Sequence, residues 1–446
     1  MKDGIIRAIG LKIADCTSKV PVSFSHFTIL LVVILTIDAI VSNIADFIVD
    51  QLVSFFGIVL FMSIVVITIV GQLFILNHVK SVASGILSRS KYISKLHLGV
   101  YLIQWFQIAL MLFITGEIIL TGKFYTISLF IVTTISYALA ILILTTLGIR
   151  FFSWSRENNS FILILYCAAS LGLMVMSFSA VLLMDYIIVT KPPEVSSSSP
   201  VIYPLFESGS LENSLSDFYV IADIISFLLI WLCSVLILRH YTKRLEALKY
   251  WVIVILPLIY FSSNFYDLIP GFEFFDDFSL IVITTLNSSA GGILFGIVFW
   301  TASKEIHENS AVIDYLKVCA FGFILWFTCN QASLIATSYP PFGIAAVSMM
   351  GVAAYLIFIG LFCSAVSVSQ DDLIRRSVLK STTKELKMVG EIAFSQMYNN
   401  IRKKIVEVEK ANLDKMVDDT GIPSSLTEED IESYMEEVIN EIKRKK

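Results

Sequence analysis

The sequence predicts an all-α fold, a polytopic helical membrane protein of about ten transmembrane helices with a cytoplasmic helical tail. Three observations lead there. Of 446 residues, 56% are hydrophobic and 15% charged, with a mean hydropathy of +0.80, whereas soluble chains carry about 25% charged residues. Apolar runs long enough to cross a hydrocarbon core of about 30 Å recur as far as position 369. Lys and Arg are distributed unevenly between alternate loops. A soluble enzyme, a nucleic-acid binder and a disordered chain are excluded by this composition.

Residues 1–25 read as a cytoplasmic N-terminal segment. Ile5, Ile6, Ile9 and Ile13 recur there at helical spacing, as in a short interfacial helix. Residues 26–369 hold ten apolar stretches, at 27–49, 52–77, 98–120, 124–148, 160–189, 218–239, 249–268, 278–302, 313–337 and 342–368. The first is read as a retained span, since it is long, contains Asp38 and lacks a small-x-small cleavage pattern. One set of loops, with the N-terminus, carries sixteen Lys and Arg, among them Arg7, Lys80, Arg150, Arg239 and Lys304. The alternate set carries two, Lys123 and Lys191. By the positive-inside rule both termini face the cytoplasm of a cell membrane, and an even span count agrees.

Two loops on the external side are long. The one from Ile187 to Asp217 contains Pro192, Pro193 and the run Ser196 to Ser199, which is linker chemistry. The other surrounds Pro270-Gly271 and interleaves Asp267, Glu273, Asp276 and Asp277 with phenylalanines. Together they set Lys191 against eight acids. Either this attracts cations to a vestibule, or the positive-inside bias simply leaves acids behind.

Polar side chains inside the spans are more informative, because an ionised Asp at a helix centre costs roughly 2.5–3.5 kcal/mol on the insertion scale. Asp38 lies at the midpoint of the first run, and Asp46 eight residues later on a broad shared face. Asp223, Asn264, Asp267, Asn287, Asn330 and Gln331 follow in or near the ends of later spans, with Glu117, Asp185 and Asn43 beside them. Most fall in the outward half, and no Lys or Arg lies deep in a span to pair with them. The expected ligand- or ion-binding candidates are therefore Asp38, Asp46, Asp223, Asn264, Asp267, Asn287, Asn330 and Gln331, with Asp38 first. For those near span ends, a carboxylate reaching the interface is the competing explanation. The stretch Asn287 to Gly292 reads either as local unwinding or, through the spacing of Gly292 and Gly296, as a close helix contact. Pro257 predicts a kink.

Nothing in the sequence argues for an enzyme. The six cysteines form no C-x-x-C pair, the five histidines no i, i+4 pair, and no phosphate-binding or nucleophile-elbow pattern occurs. No metal site or cofactor is expected. The halves of the membrane domain show no matching Gly/Pro interruptions, which removes the usual sequence support for an inverted-repeat transporter.

Residues 370–446 change character, with fourteen bases and sixteen acids. A stripe through Leu386, Val389, Ala393, Met397, Ile401, Ile405 and Val408 has a mean period of about 3.67 residues. That exceeds the value of about 3.5 that marks a left-handed coiled coil. After Gly421 and Pro423, Thr427 caps a second helix whose apolar face holds Ile431, Met435, Val438 and Ile442. The tail is thus expected to be two amphipathic helices, offering Leu386, Val389, Met397, Ile401, Ile405, Ile431, Met435, Val438 and Ile442 to a cytoplasmic protein partner or a second copy.

The stretches Asn330-Gln331-Ala332-Ser333, Tyr339-Pro340-Pro341-Phe342-Gly343, Ser367-Val368-Ser369-Gln370-Asp371 and Pro423-Ser424-Ser425-Leu426-Thr427-Glu428 resemble a family of multi-pass membrane proteins of ammonia-oxidising archaea. The resemblance covers roughly the C-terminal 130 residues. It implies an archaeal cell membrane and carries over no catalytic or binding residue. Two functional readings follow from the residues themselves. One is a membrane sensor, signal-relay or assembly protein with an outward polar pocket and an interacting tail. The other is a secondary transporter or ion pathway using the intramembrane acids. The lipid bilayer is a partner in both, and nucleic acid in neither.

Overall fold

The computed structural model describes residues 24–83, 91–158, 161–190, 192–197, 210–238, 255, 258, 282, 285–286, 291–300, 311–332 and 339–370. Helices dominate. In chain order they are α1 (Phe24–Asn43), α2 (Val49–Val53), α3 (Phe55–Val82), α4 (Lys91–Thr121), α5 (Thr126–Asn158), α6 (Phe161–Thr190), α7 (Leu211–Leu238), α8 (Gly291–Trp300), α9 (Ala311–Cys329) and α10 (Ile344–Gln370). Among the described residues, seven helices are long and apolar enough to cross a membrane: α3 to α7, α9 and α10. Two further apolar helices are shorter, Phe27–Asn43 within α1 and Gly291–Trp300. Of the ten expected stretches, 249–268 is described only at 255 and 258, and 278–302 chiefly over α8. The expected interfacial helix near the N-terminus and both tail helices, with the face from Leu386 to Ile442, lie outside the described residues.

The helix of the first apolar run does not continue to position 49. α1 ends at Asn43, a 3-10 turn spans Ala45–Ile48, and α2 leads to Ser54. Ser54 has an extended backbone, and its Oγ accepts from the Gly57 amide at 3.3 Å, capping α3. This break corrects the expected relation between Asp38 and Asp46. Asp46 belongs to the 3-10 turn, so no single helical face carries both.

The linker-like loop before α7 does more than connect. Lys123–Tyr125 and Glu194–Ser196 pair as an antiparallel two-stranded ribbon, Phe124 opposite Val195, with both side chains buried. Gly122 makes the entry possible. Its φ of 66° is the left-handed conformation that ends α4, its amide donates to the Ile118 carbonyl, and its own carbonyl accepts from Ser197. On the exposed face Lys123 Nζ lies 2.8 Å from Glu194 Oε1. That carboxylate holds the lysine ammonium above its ordinary value of 10.5. A raised value means that the pair's contribution is complete below the ordinary lysine value and fades as pH rises through the folded one. Both groups are well exposed, so the contribution is small. Lys123→Met is expected to leave thermal stability nearly unchanged while speeding amide exchange at 123–125 and 194–196. The difference should vanish above the lysine range, as read by hydrogen–deuterium exchange across pH.

α10 is the axis of the bundle. Every residue from Ile344 to Ser364 is buried, and it packs against α9, α5, α3, α4 and α1. A helix apolar on all sides needs protein or lipid on all sides. Here the neighbours are protein, drawn close by small residues. A Cβ at Gly351 would sit 2.7 Å from Leu139 of α5, and one at Gly322 of α9 would sit 2.7 Å from the Ile357 backbone nitrogen. α8 packs on α9 in the same way, for a Cβ at Gly296 would sit 2.8 Å from the Ala320 carbonyl oxygen and one at Gly292 would run into Phe327. Close helix contact is therefore what the Gly292 and Gly296 spacing provides, while residues 287–290 lie outside the described part. By contrast, Val59, Val66 and Val70 of α3 and Leu98, Leu102 and Leu112 of α4 are exposed, as befits faces toward lipid.

α10 also begins well inside the bundle. Ser348, in its first turns, meets Gln72 and Gln104, which lie seventeen residues from the ribbon-end termini of α3 and α4. At about 1.5 Å per residue that is about 25 Å along each helix. The chain comes down from Tyr339, stacked on Phe124 of the ribbon, through a cis Tyr339-Pro340 bond to Gly343. Gly343 has a φ of 92°, so any side chain there is strained.

Candidate functional site

The helix N-terminus just described leaves backbone amides facing a medium without water. In such surroundings each must find an internal partner. Asp38 supplies it. The side chain is completely buried, Oδ1 accepts from the Gly343 amide at 2.9 Å, and Oδ2 accepts from the Ala346 amide at 3.0 Å. A carboxylate at this end also complements the helix dipole. One turn further along α1, Asn43 Nδ2 donates to the Gln331 carbonyl at 2.8 Å and to Thr285 Oγ1 at 3.1 Å. The first helix thus ties together the start of α10 and the end of α9.

A second polar group lies nearer the ribbon, between α5, α6, α7 and α9. Asp185 Oδ2 accepts from Thr134 Oγ1 at 2.8 Å, while its Oδ1 is buried without a partner. Tyr137, three residues along α5, is completely buried with an unpartnered hydroxyl, close enough to Asp185 and Cys329 to interact electrostatically. Tyr219 and Asp223 lie one turn apart on α7, and Tyr219 also interacts with Tyr137. Asn330 Nδ2 donates to the Tyr219 hydroxyl at 3.4 Å, leaving its buried Oδ1 free. The two groups adjoin through neighbouring residues, since Gln331 accepts from Asn43 and Asn330 donates to Tyr219.

A third layer surrounds Ser348. Gln72 Nε2 donates to Ser348 Oγ at 2.8 Å, and Ser136 Oγ donates to the Val347 carbonyl at 2.6 Å. Gln104 and Gln107 approach the Ser348 carbonyl, Gln107 at 3.2 Å in the amide orientation that satisfies both its groups. Further from the ribbon, His97 Nδ1 lies 2.7 Å from the Tyr355 hydroxyl. Together these contacts join α10 to α3, α4 and α5.

Of the residues singled out from the sequence, Asp38, Asn330 and Asp223 fall in or beside these groups, and Gln331 contributes its backbone carbonyl to Asn43. Asp46 is on the 3-10 turn. Asn264, Asp267 and Asn287 lie outside the described residues. Sequence reasoning passed over Tyr137, Tyr219 and the glutamines Gln72, Gln104 and Gln107. The glutamines did carry a signal, being amides inside apolar runs. The cysteines are packing residues where described, since Cys167, Cys233, Cys319, Cys329 and Cys363 are free and buried. Among the described residues no group of three or more His, Cys, Asp or Glu side chains gathers as metal ligands do. The geometry can accept hydrogen bonds and bind positive charge near the ribbon, and it can hold α10 at several levels.

The fold and site together describe a multi-pass helical membrane protein with a polar interior around one axial helix. Neither a protein-family model, nor a curated protein, nor a solved structure matches the chain.

Proposed function

We propose that this chain is a membrane sensor or signal-relay protein, or an assembly protein, whose axial helix couples a polar pocket at the ribbon end to residues 371–446. The observation that carries this reading is the grip on α10. Asp38 holds its start, Gln72 and Ser136 its first turns, and His97 its middle. The same helix then runs to Gln370, directly before the tail. A helix bonded to α1, α3, α4 and α5 registers rearrangement in any of them. In this reading the chain has ten spans in a cell membrane, archaeal by resemblance, with both termini cytoplasmic and the ribbon outside. The charge asymmetry of the loops supports that orientation. The tail faces from Leu386 to Ile442 then meet a cytoplasmic protein or a second copy.

Cross-linking in membranes, comparing the full chain with one ending at Gln370, tests the proposal. A stoichiometric cross-linked partner or dimer that disappears on truncation is the expected result. An identical cross-linking pattern for both forms would sink it. A secondary transporter or ion pathway is the alternative, favoured by Asp223, which has no ion-pair or hydrogen-bond partner among the described residues, and by the free oxygen of Asp185. Cation flux into proteoliposomes that Asp223→Asn abolishes would favour it over the relay.

A further inference from the structure

The polar group between α5, α6, α7 and α9 has an unusual imbalance of free hydrogen-bonding capacity. Asp185 Oδ1 and Asn330 Oδ1 are buried and unpartnered, and both are pure acceptors. The Asp223 carboxylate, also only an acceptor when ionised, stands one turn from Tyr219 on the same face of α7. Tyr137 adds an unpartnered hydroxyl on a completely buried side chain, and it either donates or accepts. Among the described residues no Lys or Arg forms an ion pair with either acid. Buried acceptors left open in this way are uncommon in native interiors. What would complete the group is a donor carrying positive charge.

The arrangement also bears on which cation. Hard metal ions take a compact shell of oxygens, six or more for calcium, and no cluster of three or more ionisable ligands forms here among the described residues. The oxygens instead come from α5, α6, α7 and the residue after α9, and Asn330 is hydrogen-bonded to the Tyr219 phenol. An alkylammonium group matches this pattern. Its N–H donors separate toward different acceptors, and its short apolar body suits the surrounding helices.

We propose that the polar group of Tyr137, Asp185, Tyr219, Asp223 and Asn330 binds a small primary amine in its protonated form. This rests on the reading of the ribbon-end pocket as the input of the relay, and names the chemistry of that input. Recognition divides between the acids, which supply charge, and the Tyr137 hydroxyl and Asn330 Oδ1, which fix the direction of the N–H groups. A quaternary ammonium of similar size satisfies the charge but has no N–H to offer, so it binds far more weakly.

The test uses the purified full chain in lipid nanodiscs and follows its thermal unfolding with n-propylammonium, tetramethylammonium or sodium at equal ionic strength. Saturable stabilisation by n-propylammonium alone is expected, with affinity falling at least tenfold in both Asp223→Asn and Tyr137→Phe. Tyr137→Phe removes one oxygen and keeps the ring, so it decides the matter even where Asp223→Asn fails to fold. No saturable shift with n-propylammonium overturns the proposal. So does an equal shift with sodium or tetramethylammonium, or undiminished binding in Tyr137→Phe. The tail cross-linking pattern is read separately, so failure here leaves the relay standing or falling on its own result.

Discussion

Replacing Asp38 by Ala is expected to lower the stability of the membrane domain by about 3 kcal/mol, with hydrogen bonds to a charged group worth about 1.5–3 kcal/mol each. Two such bonds are lost, to the amides of Gly343 and Ala346. Those amides belong to a helix start buried within the bundle, so water does not replace the carboxylate. Part of the loss is returned because a buried charge no longer has to be desolvated, which places the total below the sum of the two bonds. The five described cysteines are all buried, so unfolding can be followed with a thiol-reactive dye in detergent. An unfolding midpoint within a degree of the wild type would show that Asp38 does not hold α10.

This placement changes what the milder substitution means. Asp38→Asn would present an amide NH2 group to one of two backbone N–H donors, opposing donor to donor at whichever oxygen it replaced. Loss of folded protein is therefore expected from Asp38→Asn as well. A loss of transport or signalling in that variant would say little about ion binding. Asp223 and Tyr137 are better positions for separating the readings, because neither is bonded to the backbone of the axial helix.

Helices and their apolar lengths were legible because a lipid-facing segment must be long and apolar to exist at all. Where the chain turns was less so. The first run passes from α1 through a 3-10 turn to α2 without Pro or Gly, and Val, Ile and Phe continue across the break. Pairing of Lys123–Tyr125 with Glu194–Ser196 depends on a contact across some seventy positions, which local composition does not encode. Depth singled out Asp38, yet its partners did not, since backbone amides leave no trace in a sequence. Tyr137 and Tyr219 looked like ordinary aromatic residues of apolar runs. Only their neighbours, Asp185, Asp223 and Asn330, make their hydroxyls matter. The axial place of α10 did leave a mark, in Ala345, Ala346, Ser348, Gly351, Ala353, Ala354 and Gly360. A helix so poor in bulk over part of its surface admits close neighbours.

That mark yields the other large effect. At Gly360 an added Cβ would fall 2.6 Å from the backbone nitrogen of Cys319 and 2.7 Å from its Cα. The obstacle is the backbone of α9, not the end of a flexible side chain, so relief requires α9 and α10 to separate. Overpacking of this kind costs about 1–3 kcal/mol for modest additions, and Gly360→Leu should reach or exceed the upper figure. Gly99 and Gly116 of α4 give the control, for nothing lies within 4 Å of a Cβ at either. Exchange of Gly for Ala inside a helix gains about 0.5–1 kcal/mol where space is free. Gly99→Ala and Gly116→Ala are therefore expected to stabilise slightly, and Gly360→Ala to destabilise, in the same thiol-dye assay. If all three alanine variants moved the midpoint in one direction, α10 would not be packed against α9 as described. Should Gly360 behave as stated, the same contact limits what can move in the relay reading. A helix wedged backbone to backbone against α9 does not slide along it, so α9 and α10 would move as one unit, carrying Asn330 at one end and Gln370 at the other.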